Sequence, residues 1–287
     1  PESHPSISLD GKVLYFSRSG YRLNMGSEDE ADVWQCYSLS DSTWSIPVNA
    51  GVPVNSIYPD HLIGNGISGN QFHVLRTEEL PIFYAISGNS RKRHSEELPI
   101  FAFSYPNAAD FYVSSNGKLL FFAMDDAEGY GGSDIYVSYL ESDGTWGPAK
   151  NLGAAVNSRG DEKAPFLAAD GKTLYFSSNG RGGFGGQDLF VSFSMSDEHW
   201  NEWTLAQNLG STINAETDES QATLAAAGEQ LLFTVRKAGT DSSDIFRASL
   251  PRIYRPQPVL LVEGNYQKNL QIKQIETSTA YLFELYY

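Results

Sequence analysis

A unit of three short strands recurs along the 287-residue chain, and this repetition limits the possible folds more than any other feature. Its clearest copy runs from Ala164 to Phe193. There, the apolar runs Pro165 to Ala168, Thr173 to Ser177 and Asp188 to Phe193 are bounded by turn residues. Asp170-Gly171 predicts a two-residue hairpin between the first two runs, and a glycine-rich segment leads to the third. The unit is therefore predicted to be a small antiparallel meander.

Four copies of this unit align on the glycine of the first turn, and a strand that begins with aspartate follows in each. The turn glycines are Gly11, Gly117, Gly171 and Gly228. The aspartates are Asp32, Asp134, Asp188 and Asp244. The first interval between turn glycines is about twice the others, so we expect a degenerate copy around Gly69. The chain therefore contains five repeats.

A fourth strand-like element follows the meander in three of the repeats. It begins with Trp44, Trp146 and Trp203, and each tryptophan is followed at fixed offsets by asparagine, glycine and asparagine. The first asparagines are Asn49, Asn151 and Asn208, and the second are Asn55, Asn157 and Asn214. Four strand-like runs in a period of roughly 50 to 58 residues predict one blade of a β-propeller. We expect an all-β propeller of four-stranded antiparallel blades, with five or six blades.

The repeats divide the chain into a predicted propeller, residues 1–251, and a Pro-rich linker with a strand-like tail, residues 252–287. The tail either completes a blade or begins a truncated β-sandwich. The second repeat keeps strand periodicity at Leu80 to Ser87 and Leu98 to Ser104 but has lost the aspartate and tryptophan signatures. The fifth repeat lacks the tryptophan element, so closure of the ring is expected to need a strand from the tail or from upstream. Because the chain begins at Pro1, directly in strand material, we expect a fragment or processed form.

The charge balance indicates which partners to exclude. The chain has 35 acidic and 20 basic residues, a net charge of −15. This charge argues against nucleic acid or an anionic lipid surface as partner. The basic cluster at Arg91 to His94 is followed at once by Glu96-Glu97 and is interpreted as an exposed loop. No apolar run has the length of a transmembrane helix.

The sequence offers few candidates for chemistry. The repeat aspartates are predicted to be structural, because a carboxylate that accepts hydrogen bonds from loop amides is needed in every blade. Asp125, Asp126 and Asp134 lie in an acidic, glycine-rich loop and are candidate Ca²⁺ ligands, although the loop lacks EF-hand spacing. The single cysteine, Cys36, is interpreted as a buried apolar residue. No inner strand shows a singular acid of the kind a glycosidase requires.

The repeats resemble the PD40 (WD40-like, TolB-type) propeller repeat. This resemblance is carried by S-L-D-G-K-V-L-Y-F-S, by A-A-D-G-K-T-L-Y-F-S-S-N-G-R-G-G-F-G-G-Q-D-L-F-V-S and by W-G-P-A-K-N-L-G-A-A-V-N. The order of repeats and the closing segment from Leu250-Pro251 to Gly264 look like the propeller region of OmpA-family envelope proteins of Bacteroidota. The resemblance implies a place in the periplasm or outer membrane. It also implies peptidoglycan binding only through a domain that is not among these residues, and it allows a role in type IX secretion or gliding.

These observations lead us to expect a non-enzymatic scaffold that binds envelope proteins and uses no cofactor. The variable connections Gly20 to Ala31, Gly88 to Glu97 and Asp125 to Gly132 are the predicted interfaces, since rigid blades hold variable loops. The alternative is a propeller that binds or hydrolyses carbohydrate. Paired carboxylates and exposed tryptophan in the central channel would favour that alternative.

Overall fold

The structure is a computed structural model. It describes residues 1–26, 30–40, 43–66, 71–77, 81–89, 92–97, 105–196, 202–237, 239–240, 242–263 and 270–274. Five small antiparallel sheets are arranged as a five-bladed β-propeller, which confirms the predicted fold class and settles the number of blades. Within the described residues, none of the helical segments has the length and apolar character required to span a bilayer.

Each blade is a meander whose first strand lies innermost. Blade 1 contains β1 (Glu2–Ile7), β2 (Val13–Arg18), β3 (Asp32–Ser40), β4 (Thr43–Trp44) and β5 (Val48–Asn49). Blade 2 contains β6 (Asp60–Asn65), β7 (Gln71–Thr77), β8 (Pro81–Asn89) and β9 (Lys92–Glu97). Blade 3 contains β10 (Ala108–Val113), β11 (Leu119–Asp125), β12 (Ser133–Tyr139) and β13 (Lys150–Asn151). Blade 4 contains β14 (Glu162–Leu167), β15 (Thr173–Ser178), β16 (Asp188–Phe193) and β17 (Gln207–Asn208). Blade 5 contains β18 (Asp218–Leu224), β19 (Gln230–Arg236) and β20 (Ser243–Ser249).

The hydrophobic core is divided among the junctions between neighbouring blades. Alternation along each strand places apolar side chains on both faces of a sheet, and each face packs on the next blade. Between blades 3 and 4, for example, Phe121 and Val137 pack with Phe176. A corresponding cluster joins blade 5 to blade 1, where Leu232 packs with Phe16. The core therefore continues around the whole ring.

The ring closes by direct contact of blades 5 and 1. His4 N donates to Gln221 Oε1 at 2.8 Å, and Ala226 N donates to Leu9 O at 2.8 Å. No further strand pairs with β20 among the described residues, and the expectation that closure needs a strand from the tail or from upstream stays a prediction. The apolar faces of the two blades complement each other, so burial of this surface stabilises the junction.

The connections fall on two faces of the disc. In an antiparallel meander the first and third connections lie at one edge, and the second lies at the other with the connection to the next blade. We call the first edge the turn face; its tight turns are residues 8–12, 114–118, 168–172 and 225–229. We call the opposite edge the loop face; it contains residues 19–26, 30–31, 50–59, 126–132, 152–161, 179–187 and 209–217.

Two local predictions are corrected. The connection at Asp170-Gly171 is longer than two residues, and Gly171 alone has a positive φ of 68°, because Gly171 N donates to Ala168 O and closes a wider turn. The predicted loop Gly88 to Glu97 is largely strand, since β9 pairs with β8 over its whole length. The strand predicted at Leu98 to Ser104 lies entirely outside the described residues, as does the hairpin residue Gly69.

The chain leaves blade 5 across the turn face. After a 3₁₀ turn at Arg252–Tyr254, Gln257 N donates to Asp170 Oδ2 at 2.9 Å. Val259 then packs with Leu9 and Ala226, which lie beyond the ends of the inner strands of blades 1 and 5. Strands β21 (Val259–Glu263) and β22 (Leu270–Gln274) pair with each other as a separate two-stranded sheet. The strand-like end at Tyr281 to Tyr287 lies outside the described residues.

Candidate functional site

The repeat aspartates of blades 1, 3 and 4 hold the loops of the loop face in place. Asp188 accepts a hydrogen bond from Phe184 N at 2.8 Å on Oδ2 and from Gly185 N at 3.0 Å on Oδ1. The equivalent bonds elsewhere run from Tyr130 N to Asp134 at 2.7 Å and from Met25 N to Asp32 at 2.8 Å. A buried carboxylate with such donors orders the main chain around it. Each of these loops is therefore fixed at one position relative to its blade.

The two repeat asparagines clamp the fourth-strand segment against the third strand. Asn208 Nδ2 donates to Asp188 at 2.8 Å, while Asn208 Oδ1 accepts from Gly210 N and Asn214 Nδ2, each at 2.8 Å. Asn214 also binds both main-chain groups of Leu189, at 2.8 and 2.9 Å. The same bonds are made by Asn151 and Asn157 in blade 3 and by Asn49 and Asn55 in blade 1.

Each repeat tryptophan packs toward the preceding blade. Trp203 is buried in the cluster between blades 3 and 4. Trp146 is half-buried against the cluster of blades 2 and 3, and Trp44 against the cluster of blades 5 and 1. In blade 5, Tyr254 packs into the cluster with blade 4. The tryptophans therefore belong to the blade junctions.

Asp244 does not share the environment of the other repeat aspartates. Its side chain is exposed. The fifth repeat has no fourth-strand asparagine to donate to this carboxylate, as Asn208 does for Asp188. The structural role expected for the repeat aspartate is therefore carried by Asp32, Asp134 and Asp188.

Two of the three calcium candidates, Asp126 and Asp134, accept hydrogen bonds from different protein groups. Asp126 accepts from Glu128 N at 3.1 Å and from Tyr136 Oη at 3.2 Å, and Asp125 is exposed. Asp134 Oδ2 accepts from a loop amide and an asparagine. Among the described residues, no three His, Cys, Asp or Glu side chains are grouped in a way that could hold a metal ion.

Two aromatic side chains, Tyr130 and Phe184, project from equivalent loops of the loop face, and we call them the rim aromatics. Their exposed fractions are 50% and 48%. Both residues take part in the aspartate–loop hydrogen bonds described above. Each lies four residues before a repeat aspartate and donates its main-chain N–H to that carboxylate. The main chain at each rim aromatic is therefore fixed, while the side chain is exposed to solvent.

The loops that contain the rim aromatics, residues 126–132 and 179–187, are the rim loops. Each also packs against the connection that leads to the following blade. A Cβ atom on Gly185 would lie 2.0 Å from Thr217 O, and one on Gly131 would lie 2.4 Å from the carbonyl carbon of Arg159. Only glycine permits this approach of two main chains. Gln187 N then donates to Asp218 Oδ1 at 3.0 Å, across the junction to blade 5. Each rim loop is thus fixed to its own blade and to the following one.

The central channel has a ring of one residue per blade. These residues, which we call the channel ring, are His4, Leu62, Asp110, Ala164 and Gln221. Four of them have φ between 48° and 52°, in the left-handed region, and each of the four lies at a β-bulge of its inner strand. The channel at this level has a cavity of about 60 Å³. Non-glycine residues in this conformation are strained and concentrate at functional sites.

Burial shifts the titration of the channel side chains. Burial lowers the pKa of His4 to about 4 and that of His61, whose ring lies 4.6 Å from the ring of His4, to about 3. Burial raises the pKa of Asp110, while Ala164 N, which donates to its Oδ2 at 3.2 Å, and the nearby Lys163 oppose the rise. The channel therefore combines one neutral histidine, His4, with a carboxyl group that holds its proton more tightly than usual.

Asp110 corrects the expectation that no inner strand carries a singular acid. It stands in β10 at the channel ring, where the other blades have histidine, leucine, alanine and glutamine. The signal was present in the sequence, because His4, Asp110, Ala164 and Gln221 each lie seven residues before a turn glycine. A bulge reverses the expected direction of side chains at this point, so strand alternation alone could not assign these residues to the channel.

The rim aromatics were also missed, although their common offset of four residues before the aspartate is visible in the sequence. Two of the predicted interface connections, Gly20 to Ala31 and Asp125 to Gly132, do lie on the loop face. Residues 27–29 of the first connection are outside the described residues. Cys36 is buried in β3, and burial raises the pKa of its thiol to about 11.

No protein-family model matches this chain, and no curated protein matches it. Solved structures similar in fold include a putative TolB from Agrobacterium tumefaciens. It has a TM-score of 0.50 and 14% identity over 87% of this chain and 77% of that one. A GH43_12 protein retrieved from a capybara gut metagenome has a TM-score of 0.53 and 14% identity, over 96% of this chain and 56% of that one. A xylan β-1,4-xylosidase from Bacillus halodurans has a TM-score of 0.51 and 13% identity, over 94% and 54%.

These comparisons support a TolB-like propeller at the level of the fold. They correct the expectation that the chain is not an enzyme, because a xylosidase shares this fold as closely as the TolB does. That expectation rested on the repetition of the aspartates and on finding no singular acid in an inner strand, and it overlooked Asp110. In fold, the chain is a five-bladed β-propeller that resembles both TolB and glycoside hydrolases.

Proposed function

We propose that this chain binds protein partners through its loop face as a component of a bacterial cell-envelope assembly, in the periplasm or at the outer membrane. The observation that carries the proposal is the pair of rim aromatics, Tyr130 and Phe184, each about half exposed yet fixed by a repeat aspartate. The envelope setting rests on the resemblance of the repeats and of the segment from Leu250-Pro251 to Gly264.

The rim aromatics have the properties of binding anchors. Aromatic side chains dominate the residues whose truncation weakens protein interfaces most. A side chain whose main chain is already ordered loses less conformational entropy on binding, so more of its contact energy appears as affinity. The exposed apolar residues Leu23 and Ile57 lie on the same face, in connections of blade 1.

The loop face also suggests the charge of its partner. The connection that contains Tyr130 includes Asp126 and Glu128, and the chain as a whole has a net charge of −15. A partner segment with apolar residues flanked by lysine or arginine fits this surface. Its association should weaken as the salt concentration rises, because screening acts on exposed charges.

The wider assembly follows from the resemblance. Peptidoglycan association would come through an OmpA-like domain that is not among residues 1–287, and membership of the type IX secretion or gliding machinery is the narrower form of the proposal. In either case the propeller would contribute the recognition surface.

The test is a cross-linked pull-down from envelope fractions with the double variant Tyr130→Ala/Phe184→Ala. The matched control is Met195→Ala/Leu205→Ala, which removes two exposed apolar side chains from a connection on the turn face. We expect partners in fixed stoichiometry with the control and about tenfold less with the rim variant, since two anchors are removed. Equal recovery with both variants, or recovery of polysaccharide alone, would contradict the proposal.

A second candidate function, glycan binding or hydrolysis in the channel, is favoured by Asp110. Its raised pKa suits a general acid that protonates a leaving group. Glycoside hydrolysis requires a second carboxyl group about 5 to 10 Å away, and Asp110 is the one carboxyl residue among the described residues that line the channel ring. The test measures release of sugar from xylan and aryl β-xylosides. Turnover that is lost in Asp110→Asn would support this candidate, and absence of turnover in the unaltered chain would contradict it.

A further inference from the structure

The channel ring contains a carboxyl group that has no basic side chain paired with it. Asp110 Oδ2 accepts a hydrogen bond from Ala164 N at 3.2 Å, which places the carboxyl group at the ring. The described residues that line the cavity include no lysine or arginine. Lys163, whose charge acts on Asp110, has its Nζ 3.9 Å from Asp161 Oδ2 instead, and its side chain is 44% exposed. A carboxylate that is removed from water is costly unless it is paired or hydrogen-bonded.

The other polar side chains of the channel ring bond to each other. His4 N donates to Gln221 Oε1 at 2.8 Å, and Gln221 Nε2 lies 3.3 Å from His4 Nε2. The other ring nitrogen of His4 lies 3.0 Å from Ser3 Oγ. The two remaining members of the ring besides Asp110 are apolar. The ring therefore offers a ligand one strong acceptor, the carboxylate of Asp110.

The cavity determines the size of a ligand and the side from which it enters. At the channel ring, the cavity of about 60 Å³ has room for about four water molecules, at about 10 to 15 Å³ each. Toward the turn face, beside the inner-strand ends Leu167 and Leu224, the cavity is only about 10 Å³. Val259 then packs on Leu9 and Ala226 at that face. A ligand of about four non-hydrogen atoms therefore reaches the ring from the loop face.

We propose that the channel ring binds a primary ammonium group on a short apolar stem, with Asp110 as its counter-ion. An ammonium group has donors and no acceptor, so it matches this ring better than a hydroxyl group, which also seeks a donor. The stem lies against the apolar lining residues Pro5, Phe111 and Phe166. The net charge of −15 raises the concentration of cations near the protein.

The ammonium group has two sources with the same chemistry. One is a free alkylamine. The other is a lysine side chain of the partner at the loop face, a source that rests on the function proposed above.

The first experiment titrates the full chain with propylammonium and, as the neutral counterpart of the same shape, n-propanol. Two-dimensional NMR at about pH 7 and constant ionic strength follows the amide of Ala164, which donates to Asp110. We expect saturable shifts with a Kd of about 1 mM for propylammonium and no saturation with n-propanol. No saturation up to about 20 mM propylammonium, or equal binding of the two probes, would overturn the proposal.

The variant Asp110→Asn removes the charge and keeps the shape of the side chain. Asparagine also tolerates the left-handed φ of 52° at this position. The variant should weaken propylammonium binding about tenfold, because a charge-assisted bond is lost. The matched control Glu202→Gln, which removes an exposed charge from the turn face, should leave it unchanged. Equal affinities of the two variants would overturn the proposal.

The source is assigned with Asp110→Asn as bait in the cross-linked pull-down from envelope fractions. Once propylammonium is shown to bind, loss of the partner assigns the ammonium group to a lysine of that partner, and unchanged recovery assigns it to a free amine. The titration needs no partner. Failure of the loop face to bind proteins therefore leaves the amine site standing, and failure of the titration leaves the loop face standing.

Discussion

At the scale of single residues, the same aspartate has a different role according to its partners. Asp188 is buried and receives two loop amides and an asparagine amide, whereas Asp244 has the same repeat position and is exposed. A buried donor left without an acceptor costs more than the bond itself contributed. The stabilising effect of the repeat aspartate therefore depends on the fourth-strand segment.

This difference predicts that replacing the aspartate by alanine lowers the free energy of unfolding strongly at position 188 and hardly at all at the equivalent position 244. Asp188→Ala should lower the free energy of unfolding by about 3 kcal/mol, because three donors lose their acceptor. Asp244→Ala should change it by less than about 0.5 kcal/mol. Urea denaturation followed by tryptophan fluorescence measures both. Similar losses at the two positions would show that the hydrogen bonds at Asp188 are not what stabilises the loop.

The buried residue His61, whose ring lies beside that of the channel residue His4, predicts a dependence of stability on pH. The pKa of His61 is lowered to about 3 in the folded chain, so the unfolded chain binds more protons between that value and about 6.5. The contribution is fully present above about pH 6.5 and is lost as the pH falls. In His61→Asn, the slope of unfolding free energy against pH between 4 and 6 should be smaller by about 1.4 kcal/mol per pH unit. A slope equal to that of the unaltered chain would indicate that His61 titrates normally.

At the scale of strands and loops, the blades are joined through their connections as well as through their cores. The rim loop of blade 4 packs on the connection to blade 5 so closely that Gly185 leaves no room for a Cβ atom beside Thr217 O. Gln187 N donates across the same junction. These contacts fix the rim loop of blade 4 relative to the first strand of blade 5.

The close approach predicts that Gly185→Ala lowers the free energy of unfolding by about 2 kcal/mol, since two main chains must separate. Gln187→Ala, in the same loop, keeps the main-chain bond and should cost less than about 1 kcal/mol. Chemical denaturation of the two variants in parallel measures the difference. An unchanged stability in Gly185→Ala would mean that the loop can shift without loss.

How far the sequence predicts this architecture also differs by element. The strands of blades 1, 3 and 4 follow from alternation and from fixed turn residues, because local signals specify them. Strand β9 was missed, since its sequence Lys92–Glu97 is charged and strand pairing overrode composition. The channel ring was missed because a bulge shifts side-chain direction without a strong local signal. The direct contact of blades 1 and 5 was not predicted, because it depends on contacts between residues more than 200 positions apart.

At the scale of the whole molecule, a closed ring of five blades presents two different faces. On the turn face, the chain after Leu250 packs over the inner turns near Leu9 and Asp170. On the loop face, the rim aromatics are fixed and exposed, and the non-repeating channel ring lies between the blades. Rigid blades with variation confined to loops and channel are suited to recognition. The loop face is therefore the surface through which we expect the protein to act.

Site-specific photo-crosslinking in cells that make the protein tests this expectation most directly. A benzophenone amino acid is placed at position 184 on the loop face in one variant and at position 195 on the turn face in another, both at exposed apolar residues. We predict a discrete crosslinked partner from position 184 and none from position 195. The same adducts from both positions, or a partner captured at position 195 alone, would contradict recognition through the loop face.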